Sequence, residues 1–275
     1  FVSTFSFFRA AIFIHELTHL RKGTFILFRI CWNLFCGFPL MIPSFLYQGV
    51  HNDHHNMSLY GTQSDGEYFP FVHKGRLKII LFLLASLFLP IFFFARFVFF
   101  TPISYCHKDL RSLVLGKMSS LSIDLSYVRT LSSLNSVPSW QIQEAITCLY
   151  GWVFLLLIVM QVLPFMIFGF WLSILGTVFF VNSLRTLAAH CYRYPGDRTL
   201  DISEQLLDSI NTPNSFLGAL WAPVGLRFHA THHLIPEMPY HSLGKTHKRL
   251  LEKFSEKDIY AQTTSRSLIF TLKRL

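Results

Sequence analysis

Charge is scarce in this sequence: Asp, Glu, Lys and Arg make up 14% of its 275 residues, against about a quarter in an ordinary soluble domain. Hydrophobic residues supply 52%, with 30 Phe among them, and the mean hydropathy is +0.41. One soluble core could not hide that much apolar surface, so the composition excludes an ordinary soluble globule and points to lipid as the solvent. Cysteine is sparse too. The five thiols, Cys31, Cys36, Cys106, Cys148 and Cys191, are odd in number and none forms a CxxC pair, which removes a disulfide framework and a thiolate zinc site. They read as small buried residues. Basic runs interleaved with aromatics are missing, so the net charge of +9 is no nucleic-acid footprint. It suits a face beside anionic lipid or an acidic protein partner. An initiator Met and a cleavable leader pattern are absent; with an apolar run at the very start, this predicts a chain truncated at its N-terminus.

What the chain has instead is long apolar stretches, at residues 1–14, 25–47, 79–103 and 148–182. About 20 apolar residues suffice for a helix to cross a bilayer. The fourth stretch carries no charge and is broken only by Pro164 and three glycines, so it reads as one long tilted span or a hairpin of two. The third is flanked by Lys78 and Arg96, has Pro90 as a kink point, and reads as one span. Residues 104–143 are mixed and polar. From Arg193 onward the chain reads as a soluble helical part ending in a Lys-rich amphipathic helix near residues 243–254. No repeat or second domain is visible. The expectation is one all-α domain over 1–275, with several transmembrane helices under a helical cap.

Histidine is the residue that bunches. Of the 13 in the chain, eight fall in three clusters: His15-Glu16-Leu17-Thr18-His19, His51-Asn52-Asp53-His54-His55 and His229-Ala230-Thr231-His232-His233. On a helix these i, i+3 and i+4 spacings put imidazoles on one face, about 5–6 Å apart at Cβ. That is a chelating arrangement, and imidazole suits Fe, Zn, Cu and Ni. A single histidine would read as a solvated or core residue. Two HxxHH clusters and one HxxxH in a chain this poor in charge do not, because ionisable groups beside membrane segments are costly and functional. The first cluster is also literally HExxH, a zinc-protease signature, but a zinc site of three ligands and water would leave both HxxHH clusters unused. Eight imidazoles fit two six-coordinate metals better. Clusters that meet at one site must be separated by even numbers of crossings. Residues 25–47 are long enough for one crossing and not two, so they are expected to be re-entrant or interfacial, helped by Pro39 and Pro43. Between His55 and His229 the third and fourth stretches would supply two crossings.

The order HxxxH, HxxHH and distal HxxHH resembles the membrane fatty acid desaturase family, in its bacterial form. The surrounding residues are similar too: Gly49-Val50-His51-Asn52-Asp53-His54-His55, Tyr60-Gly61-Thr62, and Arg227-Phe228-His229-Ala230-Thr231-His232-His233-Leu234-Ile235-Pro236, followed by Met238-Pro239-Tyr240-His241-Ser242-Leu243. The resemblance covers almost the whole chain. It implies multi-span helices with a cytoplasmic helical cap holding two non-haem iron ions, with His15, His19, His51, His54, His55, His229, His232 and His233 as ligands. Arg185-Thr186-Leu187-Ala188-Ala189-His190 matches the family's further histidine after the last span, so His190 becomes a ninth. The implied reaction is O2-dependent insertion of a double bond into the acyl chain of a membrane lipid or acyl thioester. Glu16 departs from the usual first box and is shared with related membrane hydroxylases, so hydroxylation or ketolation of a hydrocarbon, sterol or carotenoid stands as the alternative. The HPGG haem motif of fused cytochrome b5 domains is absent, which implies an external donor of ferredoxin or cytochrome b5 type. A bacterial inner membrane with the site facing the cytoplasm is the expected location.

Around the metal, Glu16, Asp53, Asp65, Glu67, Glu204 and Asp208 are candidates to accept the far N–H of a ligand imidazole, Asp53 foremost because it sits inside a box. Asn182 and Arg185 follow the last apolar stretch and are candidates to meet a ligand or a polar headgroup. His241, close to the third box, is expected at the mouth of a substrate channel. His73, His107 and His247 are expected to be non-ligands.

Overall fold

The computed structural model describes residues 2–214 and 216–275. Among them the chain is helical throughout, with only isolated β-bridges and no strand. The elements that build the site are α1 (Val2–His19), α2 (Ile26–Gly37), α3 (Val50–His54), α4 (Arg76–Ser86), α5 (Leu89–Ser104), α6 (Lys108–Lys117), α7 (Trp140–Val159), α8 (Phe165–Leu187), α9 (Ile202–Asp208), α10 (His229–Leu234) and α11 (Tyr240–Lys253). Phe1, the start of the first apolar stretch, lies outside the described residues.

Helices α7 and α8 are long and apolar enough to cross a membrane. They form an antiparallel hairpin, with the Phe154 ring 6.1 and 6.0 Å from those of Phe168 and Trp171. The turn between them is set by Gln161, at φ 60, and by Pro164, which caps α8 where its missing N–H costs nothing. The uncharged run at 148–182 is therefore two helices and not one tilted span. The third apolar stretch is broken. It is the pair α4 and α5, bent by 54° at the break between Ser86 and Leu89. Pro90 lies in the first turn of α5, where it cannot donate back to Ser86, so the bend falls at the kink point expected from sequence. The second stretch yields only the short helix α2, well under the length of a crossing.

Helices α1, α4 and α5 pack on α8. Lipid offers little hydrophobic drive for helix association, so close van der Waals contact must supply it. Gly176 in α8 provides such a contact: a Cβ there would sit 2.9 Å from the backbone oxygen of Leu87, at the α4–α5 bend. Phe93 stacks on Phe179 at 5.8 Å, and Phe94 meets Trp171 edge-on. A buried ion pair joins α5 to α7, with Arg96 Nη2 2.7 Å from Glu144 Oε1 and both side chains fully enclosed. Arg111, 2.6 Å from the other carboxylate oxygen, completes the group.

Beyond α8 the chain doubles back over the cap. Cys191 N donates to Asp208 O and Ile210 N to Ala189 O, which presses the end of α9 against His190. At the α3 start, Gly49 adopts φ +92, and a Cβ there would meet Arg129 Nη2 at 2.7 Å. Only glycine serves at this turn, which aims the second histidine cluster inward.

Candidate metal centre

All nine candidate histidines converge. They form two adjacent groups: His15, His19, His51, His55 and His232 in one, His54, His190, His229 and His233 in the other, with donor atoms in each within 4.8 Å of one another. Helix α1 delivers His15 and His19 at i, i+4. Helix α3 splits its histidines, sending His51 and His55 to the first group and His54 to the second. Helix α10 splits in the same way, with His232 in the first and His229 and His233 in the second. Six of the nine are buried and His19, His55 and His233 half-buried.

The ring nitrogens are oriented from behind. His51 Nδ1 lies 2.8 Å from Glu67 Oε1 and His54 Nδ1 2.9 Å from Asp65 Oδ2. Tyr60 donates its hydroxyl proton to Asp208 at 3.1 Å, so it accepts from His190 Nδ1 at 2.8 Å. Tyr47 likewise donates to Glu67 at 2.8 Å. These bonds assign the proton of His51, His54 and His190 to Nδ1 and leave Nε2 as a bare lone pair. Yet the Nε2 atoms of His54 and His190 face each other at 3.1 Å. His190 meets His229 at 2.8 Å, His51 meets His19 at 2.9 Å and His55 at 3.2 Å, and His55 meets His232 at 3.0 Å. Two bare nitrogens at such range repel unless a cation, a proton or a metal ion, lies between them. With metal–imidazole bonds of about 2.1 Å, neighbouring ligands of an octahedral ion stand about 3.0 Å apart and those of a tetrahedral ion about 3.4 Å. The contacts of 2.8–3.2 Å are as close as the ligands of one ion require. Among the described residues neither ring nitrogen of His15 has a hydrogen-bond partner, which fits the same purpose.

The electrostatics agree. Burial drives the titration of His15, His51, His55, His190, His229, His232 and His233 well below the ordinary imidazole range, and that of His19 down to about 4. They are neutral donors at pH 7. His54 is the exception: burial pulls it down, but the Asp65 carboxylate outweighs this and holds it above the usual value. Burial raises Glu67 to about 7 and Asp208 to about 6.

The supporting acids differ from the foremost sequence candidate. Asp53 makes no hydrogen bond to any ligand imidazole; on α3 it points sideways from the histidine face, into the field of Arg129. Glu204 is half-buried and closes a fork with Arg198 at 2.5 and 2.8 Å, away from the histidines. Glu16 lies 3.5 Å from His15 Nδ1, and burial raises it to about 7. His241 is exposed and packs its ring only on Tyr240. His73 bonds the Arg193 carbonyl and His247 the Tyr260 hydroxyl. Tyr47 has no part in the sequence reading, and Tyr60 enters it only within the Tyr60-Gly61-Thr62 motif, with no role at the site. Their signal was a tyrosine four residues before the second cluster and another five after it.

A cavity of about 180 Å³ opens beside the first histidine group. Its metal end holds His15, Tyr47, Glu67, Asn182 and Arg185, and its walls are apolar, from Phe8, Ile12, Phe92, Phe93, Val178 and Phe179.

A family model described as fatty acid desaturase matches residues 1–265. A ceramide hydroxylase from Caulobacter vibrioides is 38% identical over 273 residues, covering 98% of this chain and 77% of that protein. No solved structure matches. With histidines in this order, in two groups, over nearly its whole length, the chain belongs to the fatty acid desaturase family.

Proposed function

We propose that this protein is an O2-dependent membrane oxidoreductase that hydroxylates the hydrocarbon part of a ceramide-class lipid. The observation that carries the reading is the apolar cavity ending at His15 beside nine inward-facing imidazoles. Its phenylalanine-rich lining suits an alkyl chain lying against the candidate metal centre. The named relative supports hydroxylation; the family description supports desaturation at the same site as the second reading.

Two iron ions held by these groups would supply an oxidant from O2 able to break an unactivated C–H bond. The balance is C–H, O2, two electrons and two protons giving C–OH and H2O. The electrons come from a separate acidic carrier protein, for which the exposed Lys245, Lys248, Arg249 and Lys253 of α11 offer a complementary face. The chain itself binds the lipid, keeps water from the cavity with its phenylalanine walls, and fixes the imidazoles through Glu67, Asp65, Tyr60 and Asp208. Tetrahedral zinc proteolysis through HELTH is disfavoured, since His15 and His19 share their group with three more imidazoles.

The topology follows from the site. His55 precedes α4 and His190 follows α8, so an even number of crossings separates them. The α7–α8 hairpin supplies two. The bent pair α4–α5 then enters and leaves on one side, with Phe71 and Phe82 near Tyr192 at one end and Tyr105 on Glu144 at the other. No charged residue falls between Glu144 and Arg185, so the hairpin tip lies on the side that cations avoid and the site faces a bacterial cytoplasm.

The test is expression of the full-length protein in a host that makes ceramide, with lipid mass spectrometry. Gain of one oxygen supports hydroxylation; loss of two hydrogens favours the second reading. A His232→Ala variant should give neither. Products unchanged by that substitution would sink both readings.

A further inference from the structure

Arg185 occupies the last turn of α8 at 8% exposure and lines the cavity close to His15. Its Nε donates to Asn182 Oδ1 and its Nη2 to Thr186 Oγ1, both at 3.0 Å. Both acceptors are neutral. Among the described residues no carboxylate stands within ion-pair distance, and Nη1 has no hydrogen-bond partner. Glu67, the acid in the same wall, is already engaged by Tyr47 and His51. A cation at a helix C-terminus is favoured by the helix dipole, but that does not account for burying it in a cavity, where an unpaired charge is expensive. A second feature points the same way. Ser120, in the same cavity wall, has a buried hydroxyl without a partner. A cavity meant only for alkyl carbons has no use for either donor. Both ask for an oxygen acceptor from outside the chain.

We propose that Arg185, with Ser120, grips the amide carbonyl and neighbouring hydroxyl of the lipid, so that the carbon presented to the histidine groups lies a few bonds from the polar linkage and not in mid-chain. The inference rests on the lipid-hydroxylase reading and adds to it both a regiochemistry and a preference. Lipids with a hydrogen-bonding linkage beside the reacting carbon are favoured over plain acyl chains. Arg185 serves here as a specificity residue that touches substrate. The guanidinium fork matters, because a planar pair of donors holds a carbonyl's direction as well as its position.

The experiment uses the full-length protein with iron and its electron carrier, acting on N-hexadecanoyl sphinganine, with tandem mass spectrometry to locate the added oxygen. The wild type is expected to place it near the amide. Arg185→Gln is expected to raise KM about tenfold to a hundredfold, the loss of one charged hydrogen bond, and to scatter the oxygen along the chain, with iron per chain unchanged. Arg185→Lys should fall between. As a check that needs no variant, the 2-O-hexadecyl ether analogue, which is neutral and lacks the carbonyl, should lose a similar factor in kcat/KM with the wild type. Wild-type oxygenation in mid-chain, or full activity on the carbonyl-free lipid, overturns this inference and leaves the hydroxylase reading standing. A wild type that oxygenates no lipid overturns the hydroxylase reading, and this inference with it.

Discussion

At the scale of single residues, the site depends on carboxylates that orient imidazoles, and these can be told apart by substitution. Asp65→Asn and Glu67→Gln replace the charged acceptors behind His54 and His51 with neutral amides. Partners of this kind are worth about 10–100-fold in metal affinity or activity. Each variant should therefore lose metal to a chelator at about 10–100-fold lower chelator concentration than the wild type, read as metal per chain after gel filtration. Asp53→Asn should behave as wild type. Equal losses from Asp53→Asn and Asp65→Asn would refute the assignment. The contrast also marks what the sequence could carry. Histidine spacing within a helix is local, so i, i+3 and i+4 already placed eight imidazoles on shared faces. Which acid backs them is tertiary: Asp65 and Glu67 reach α3 only because the chain turns back after it, and Asp208 reaches His190 only through the fold-back of α9. Proximity in sequence favoured Asp53, but its place on the helix aims it elsewhere. The five-and-four division of the histidines was equally out of reach, because α3 and α10 each feed both groups.

At the scale of elements, hydropathy located the apolar stretches and left their number of helices open. Pro164 and Gln161 divide residues 148–182 into two, and the bend just before Pro90 divides 79–103. Pro90 breaks the helix there, and contact with α8 at Gly176 holds the bend. Gly176→Ala would thrust a Cβ to 2.9 Å from the Leu87 carbonyl. A backbone atom cannot yield as a flexible side chain can, and overpacking of this kind costs about 1–3 kcal/mol. Gly169→Ala, on the same helix, has no neighbour within 4 Å and should be neutral or stabilising by up to about 1 kcal/mol. Thermal unfolding in detergent, followed by helical circular dichroism, should lower Tm for the first and hold or raise it for the second. The reverse order would mean that α4, α5 and α8 do not meet at Gly176.

At the scale of the molecule, the two histidine groups join distant parts of one chain. Helix α1 contributes to the first group alone, His190 to the second alone, while α3 and α10 serve both. Bound metal thus ties the N-terminal helix to the cap, and the exit of α8 to α3 and α10. An ion that binds the folded chain and not the unfolded one adds about 2.7 kcal/mol at a hundred times its Kd, so stripping both should lower Tm and open the cap to protease. The two groups should fail unequally. His190→Ala leaves three imidazoles and removes the nitrogen that both His54 and His229 face; His19→Ala still leaves four. Metal analysis should therefore find close to one ion per chain in His190→Ala and nearer two in His19→Ala, with protease sensitivity rising around residues 188–211 only in the former. Loss of both ions from either variant would mean one shared cluster, in which the imidazoles contributed by α3 and α10 cannot hold one ion without the other.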